Sequence, residues 1–252
     1  MVRNLSYVRA LSLQFTGDMN PSKQIPDPSA TVRSGPNTAV GGIVLCGGQS
    51  TRMGRPKAWL PFGPEVMLQR VVRILSDVVT PIVVVAAVGQ DLPQLPAGVE
   101  IVRDEFEALG PLAGLAAGLK ALEGRSAAAY ASSCDVPLLT AAFIEFMIAA
   151  LDDYDLAIPR DGTYHHPLAA VYATRLAASA RELVTANRLR PVFLLERSRA
   201  REIDVAEIRQ VDPALQSLRN INTPGDYAAA LREAGFNAGQ PQPGRDSTAQ
   251  GD

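Results

Sequence analysis

The stretch LCGGQSTRMGRPK, from Leu45 to Lys57, sets three glycines among two arginines and a lysine directly after an apolar run. Gly47 and Gly48 let the main chain turn sharply and present its N–H groups to an anion. Arg52 offers a planar fork of donors and Lys57 a point charge, two ways of holding phosphate. Lys57 stands out further because the chain has only two other lysines, Lys23 and Lys120. The spacing is not that of a Walker A loop, since no G-K-[ST] follows, and it is not G-x-G-x-x-G. On composition alone the competing reading is a glycine-rich turn with solvated basic side chains.

Asp135 stands between Cys134 and Val136-Pro137, just past the apolar run AAAYASS. A lone carboxylate there suits Mg²⁺, which takes one or two protein carboxylates and completes its shell with substrate phosphate oxygens. It would serve equally as a helix cap or as the partner of an arginine. Asp104 follows IVR and is either a site residue or half of a surface pair with Arg103. Gly110 and Pro111 open a helical stretch whose free N–H groups could face an anion; ordinary helix initiation explains them as well. His165 and His166 precede Pro167, and neighbours on an extended chain point different ways, so they make a poor bidentate metal pair. One of them could touch substrate at a pocket rim. No G-x-S-x-G exists, so no nucleophile elbow is present.

The elements that must position these residues alternate in kind. AVGGIVL, PIVVVAAV, VEIVRD, AAAYASSC and YDLAIPR read as short strands, several of them apolar on both faces as buried parallel strands are. EVMLQRVVRILSDV repeats apolar residues at helical spacing through Val66, Leu68, Val71, Val72 and Leu75. GPLAGLAAGLKALEG reads as a helix closing on Gly124, and TAAFIEFMIAALDD as one capped by Thr140. After residue 160 the pattern loosens into a strand, PLAAVYA, a helix, TRLAASARELVTAN, a helical PVFLLERSR, and a strand, AREIDV. TPGDYAAALREAG closes the pattern, with Thr223 as N-cap, Pro224 first and Asp226 third, an acidic form of the capping box. The alternation predicts an α/β fold with a parallel sheet between helices. In such sheets ligands sit beyond the carboxyl ends of the strands, where the basic loop, Asp104, Asp135 and DGTYHHP all fall.

The chain has 252 residues, 47% hydrophobic and 20% charged, enough for one sizeable core. Its net charge of −2 gives no global field for nucleic acid. Cys46 and Cys134 form no zinc-like cluster and read as small buried residues. No apolar run approaches the roughly 18 residues of a membrane span, and no secretory signal is evident, so a cytoplasmic location is expected. Residues 1–39 and 237–252 read as disordered tails around a working domain at 40–236.

LCGGQSTRMGRPK resembles the L-x-G-G-x-x-x-R-M-G-x-x-K signature of nucleotidyltransferases with a Rossmann-like, GT-A-type fold. RD at 103–104, GPLAG at 110–114, CDVP at 134–137, HPLAAVY at 166–172 and NINTP at 220–224 follow in the order seen in the molybdenum cofactor guanylyltransferase branch. The resemblance covers residues 41 to about 235 and implies a three-layer α/β/α domain with a mostly parallel central sheet. It implies transfer of GMP from GTP to the phosphate of molybdopterin, with Mg²⁺ as cofactor and pyrophosphate released. Acceptor molybdoenzymes or their chaperones are further implied partners; nucleic acid and membrane are not.

By the same resemblance Arg52, Lys57 and Asp135 are catalytic, and Asp135 is the metal ligand. Leu45, Cys46, Gly47, Gly48, Lys57, Asp104, Gly110, Pro111 and Asp135 belong to the nucleotide site, and His166, Asn220 and Asn222 to the acceptor side. The related cytidylyltransferases usually carry L-A-A-G and D-x-D-T-P where this chain has LCGG and NINTP, which favours guanine. The alternatives are a relative using CTP, one using another small acceptor such as a sugar phosphate, and a non-catalytic nucleotide-binding regulator. Two departures bear on selectivity: the family's usual alanine is Cys46 here, and VVVAAVGQDLP lacks the asparagine common after the second strand.

Overall fold

The computed structural model describes residues 39–47, 55–104 and 109–236. The tails expected at 1–39 and 237–252 lie outside the described residues, apart from position 39.

β1 (Val40–Leu45) is an interior strand of the main sheet, buried on both faces. Its alternate side chains go to opposite faces, as a strand requires. Val44 and Cys46 join one apolar layer, and Ile43 and Leu45 the other. β4 (Ile82–Ala87) runs parallel beside it, followed outward by β5 (Val99–Asp104). On the other side lie β6 (Ala128–Ser133), β9 (Ala169–Ala173), β7 (Leu156–Asp161) and β10 (Ala200–Asp204), with the short β8 (Tyr164–His165) folded back on β7. The full order is β10-β7-β9-β6-β1-β4-β5. β9 is antiparallel to both neighbours, and β8 to β7; the remaining pairs are parallel. The mostly parallel α/β sheet expected from the alternation is therefore observed, with β9 and β8 as the exceptions.

Helices α1 (Met67–Ser76) and α3 (Ala141–Leu151) cover one face. Leu68, Val71, Val72 and Leu75 of α1 are fully buried, as their spacing predicts. Thr140 caps α3 by accepting from the Phe143 N–H at 3.3 Å. Helices α2 (Pro111–Leu122) and α4 (Ala177–Thr185) cover the other face.

α2 lies very close to β1 because Gly114 and Gly118 turn toward it. A Cβ at Gly118 would stand 2.7 Å from Ile43 Cγ2, and one at Gly114 would stand 3.3 Å from Leu45 Cδ2. Gly118→Val should therefore destabilise the fold by about 1–3 kcal/mol through overpacking, read as a lower urea midpoint at unchanged slope.

Two local expectations need correction. Glu65 and Val66 are not the start of α1. They form β3 (Glu65–Val66), which pairs antiparallel with β2 (Pro61–Phe62) across a turn at Gly63. The Val66 N–H is taken by Gln69 Oε1 at 3.1 Å, which starts the helix one residue later. PVFLLERSR is helical as expected but tightens into a 3-10 turn at Pro191–Arg197.

α6 (Pro224–Glu233) docks on this hairpin in a third apolar cluster of Leu60, Phe62, Met67, Leu138, Ile221, Ala230 and Leu231. α5 (Val205–Ile208) is a single turn after β10.

Candidate active site

The carboxyl ends of β1, β4, β5, β6 and β7 share one edge of the sheet, and most of the residues singled out by type gather there. β6 ends at Ser133, and Asp135 follows two residues later at 9% exposure. Its carboxylate has three donors. Lys57 Nζ reaches Oδ2 at 2.7 Å, while Asn220 Nδ2 and the Ser133 hydroxyl reach Oδ1 at 2.9 Å and 2.5 Å. Lys57 Nζ also donates to Asn222 Oδ1 at 2.9 Å. The pair is largely shielded, the side chains being 21% and 12% exposed, so water screens it less than a surface ion pair.

Three separate stretches of sequence supply this cluster, and each has a local reason for its place. Lys57 begins a 3-10 turn, Lys57–Trp59, whose Ala58 is buried and whose Trp59 Nε1 donates to the Asp91 carbonyl at 3.1 Å. Asp135 is fixed by its strand and by its own carbonyl, which accepts from the Ile221 N–H at 2.8 Å.

That bond makes NIN an extended partner, and side chains alternate along an extended chain. Ile221 goes into the third cluster at 1% exposure, so Asn220 and Asn222 both turn to the edge. The capping box of α6 then holds Asn222. Asp226 Oδ2 accepts from the N–H groups of Asn222 at 3.1 Å and Thr223 at 2.8 Å, and Thr223 Oγ1 accepts from the Asp226 N–H at 3.1 Å.

The Thr223 hydroxyl and then the two backbone N–H groups hold the Asp226 carboxyl below the usual carboxylate range. This contribution is present above that range and is lost as pH falls through the lowered value. Thr223→Ala should cost about 1 kcal/mol of stability, measured by denaturant unfolding at neutral pH.

Leu45 and Cys46 contribute through their main chain. The Leu45 side chain is buried against α2, and its carbonyl accepts from the Cys134 N–H at 3.1 Å. The Cys46 thiol is buried beside Cys134. Its hydrogen bond with that thiol, and then burial, push it well above the ordinary thiol range, which favours the protonated form. Gly47 is exposed with open space around its Cα. Gly48 and Arg52 lie outside the described residues.

Asp104 ends β5 in register with Ala87. Arg103 donates to the carbonyls of Ala87 and Gln90 at 3.0 and 2.8 Å. Gly110 caps α2 with φ of 81°, beside the Leu189 carbonyl, and Pro111 is its first residue.

The two histidines diverge as their adjacency predicts. His165 Nε2 lies 2.7 Å from Glu202 Oε2. The His166 ring packs edge-on against Tyr164, and the His166 backbone N–H donates to the Pro159 carbonyl at 3.0 Å. Burial holds His166 below the usual imidazole range, so the neutral ring is favoured at neutral pH. Ser133 and Gln90 join the edge without having been singled out. Ser133 is the last residue of β6 and follows another serine, and no local pattern distinguishes its hydroxyl.

The edge thus offers a fixed ammonium, a hydrogen-bonded carboxylate and two amides. Among the described residues no three of His, Cys, Asp or Glu gather to hold a metal, and no helix is long and apolar enough to cross a membrane.

Comparison with known proteins agrees with this fold. Residues 42–201 match the family described as MobA-like NTP transferase domain. A Mycobacterium tuberculosis H37Rv protein named "probable molybdenum cofactor guanylyltransferase" is 38% identical over 196 residues, which is 76% of this chain and 92% of that protein. Molybdopterin-guanine dinucleotide biosynthesis protein A of Archaeoglobus fulgidus shares the fold, with a TM-score of 0.64 at 23% identity over 78% of this chain and 99% of that one. A second M. tuberculosis protein, solved in complex with manganese, aligns at a TM-score of 0.50 and 16% identity, covering 77% of this chain and 99% of its own. Fold and sequence agree: the chain belongs to the MobA-like NTP transferase family and is a nucleotidyltransferase.

Proposed function

We propose that the chain transfers GMP from GTP to the phosphate of molybdopterin, forming the guanine dinucleotide cofactor and releasing pyrophosphate. One observation carries this reading. Lys57, Asp135, Asn220 and Asn222 form a continuous hydrogen-bonded set at the edge where the glycine-rich loop begins. The names of the relatives supply the base and the acceptor.

The chemistry needs little from the protein beyond position and charge. The acceptor phosphate oxygen bonds to the α-phosphorus of the nucleotide as the bond to the pyrophosphate oxygen breaks. In this reading Gly47, Gly48, Arg52 and Lys57 hold the triphosphate, Asp104, Gly110 and Pro111 border the nucleotide, and His166, Asn220 and Asn222 face the acceptor. The working unit is residues 40–236, and a GTP-consuming reaction fits a cytoplasmic location.

The residues present suit a divalent ion. Asp135 Oδ2 and Asn222 Oδ1 already converge on one cation, the Lys57 ammonium, at 2.7 and 2.9 Å. Two hard oxygen donors are a suitable protein share for Mg²⁺, with water and phosphate oxygens completing its shell. When bound, that ion would supply charge neutralisation to the phosphate oxygens and the departing pyrophosphate. Lys57, released from the carboxylate, would turn its charge to the triphosphate.

The test is pyrophosphate release from GTP, CTP, ATP and UTP, each with Mg²⁺ and with either molybdopterin or a sugar 1-phosphate. Release is expected with GTP and molybdopterin together. Turnover of CTP, or of the sugar phosphate, in preference would replace the guanine or molybdopterin assignment.

A further inference from the structure

A parallel strand pair has a regular hydrogen-bond rhythm, in which a residue donates to the residue before its opposite number and accepts from the one after it. β1 and β4 keep that rhythm as far as Cys46, whose N–H donates to the Val85 carbonyl at 2.8 Å. With Leu45 opposite Val85, the next bond should run from the Ala87 N–H to the Cys46 carbonyl. A side chain takes its place. The Ala87 N–H donates to Gln90 Oε1 at 3.1 Å, and Gln90 Nε2 donates to the Cys46 carbonyl at 3.0 Å. The carboxamide stands in the ladder like an inserted peptide group, with one acceptor and one donor. Its orientation follows from its partners, since an N–H needs the oxygen and a carbonyl needs the NH₂.

The turn that returns Gln90 to this gap is tied down on both sides. The Gln90 N–H donates to the Ala87 carbonyl at 3.2 Å, and Gly89 takes φ of 74°, where glycine has no Cβ penalty. Arg103 of β5 fastens the carbonyls of Ala87 and Gln90. The next residue, Asp91, accepts from Trp59 of the turn that carries Lys57. One short turn, residues 87–91, therefore grips both feet of the basic loop: Cys46 where it leaves β1, and the Lys57–Trp59 turn where it ends.

We infer that Gln90 is a positioning residue for the nucleotide: its carboxamide wedges the ends of β1 and β4 apart and, with Arg103 and Trp59, sets the separation of the loop's two feet. The inference rests on the reading that this loop holds the triphosphate. A direct Ala87–Cys46 bond would draw the strands to their ordinary spacing of about 4.8 Å and narrow the loop's base. The asparagine missing from this segment is thus not replaced by an outward amide; the segment's amide is bonded into the ladder, while Val88, Gly89 and Asp91 are exposed, Val88 at 58%.

Gln90→Glu tests this, because it keeps the shape and changes one bond. An ionised carboxylate still accepts from Ala87 but cannot donate to the Cys46 carbonyl; a protonated one does both. With GTP and Mg²⁺, the variant's KM should rise about ten-fold over wild type while kcat falls less than about three-fold, the signature of lost uniform binding. The KM ratio to wild type should shrink as pH is lowered from about 8 to about 5.5, because the half-buried carboxyl, facing a carbonyl oxygen, then protonates. Arg103→Met, at an exposed site, should show a smaller rise in KM alone.

A wild-type KM in Gln90→Glu at the upper pH, a defect that ignores pH, or a loss confined to kcat would overturn the inference. If Gln90→Glu does not fold, Arg103→Met decides, and an unchanged KM there overturns it. A wild type that prefers CTP ends the guanine assignment alone, and the same ratios are then read with CTP. A wild type that binds no nucleoside triphosphate sinks both.

Discussion

Asp135→Asn should lower turnover by about 10²–10³-fold and leave the fold intact, the usual effect of removing one charge-stabilising contact from a transition state. Asparagine keeps the shape and can still accept from Ser133 or Asn220. It lacks the negative charge that pairs with Lys57 at 2.7 Å and that would bind a divalent ion. The ion pair links positions 78 residues apart, yet most of the surrounding apolar packing does not depend on it. A folded variant is therefore expected, checked by an unchanged far-ultraviolet spectrum and a cooperative melt. Single-turnover rates with GTP should carry the loss, and the apparent affinity for Mg²⁺ should fall with it. Near-full turnover in the folded variant would remove Asp135 from the chemistry and leave it a structural anchor for the segment around Ile221.

Lys57→Ala should be comparably damaging for a different reason. The ammonium touches Asp135 and Asn222, so its loss removes the local positive charge and one tie between the two sequence stretches. Asp135 keeps its bonds from Ser133 and Asn220, which offset part of the cost of leaving its largely shielded charge without the ammonium. The expected result is a fall in kcat/KM of about 10²–10³-fold, with KM for the nucleotide raised as well, because the lysine would hold phosphate in both ground and transition states.

The double variant Lys57→Ala with Asp135→Asn should lose much less than the product of the two single losses, since groups acting as a unit are strongly non-additive. Fully multiplicative losses in that cycle would show that the two residues act separately, despite their contact. Arg at position 57 is not a safe substitute, because a planar guanidinium cannot occupy the seat that a compact ammonium shares between two oxygens.

What the sequence by itself determined is local. The helical spacing in Leu68, Val71, Val72 and Leu75, the Thr140 cap and the Thr223–Asp226 box all rest on neighbours within a turn or two, and each is found in the structure. The glycine-rich loop after a buried strand and the lone Asp135 after another were readable for the same reason, because strand ends define the edge where ligands gather.

The tertiary structure alone decided the rest. Strand direction leaves little trace in residue pattern, so β9 reads as any apolar strand and proves antiparallel only through its pairing with β6 and β7. Glu65 and Val66 fit a helix by spacing but were claimed by the hairpin with Pro61 and Phe62, onto which α6 docks from the far end of the chain. The bonds of Asp135 with Lys57 and Asn220, the bond from Lys57 to Asn222, and the bond by which the Gln90 carboxamide enters the β1–β4 ladder at Cys46 join residues 44 to 165 positions apart. Contacts at that separation depend on how whole layers pack, and no periodicity along the chain encodes them.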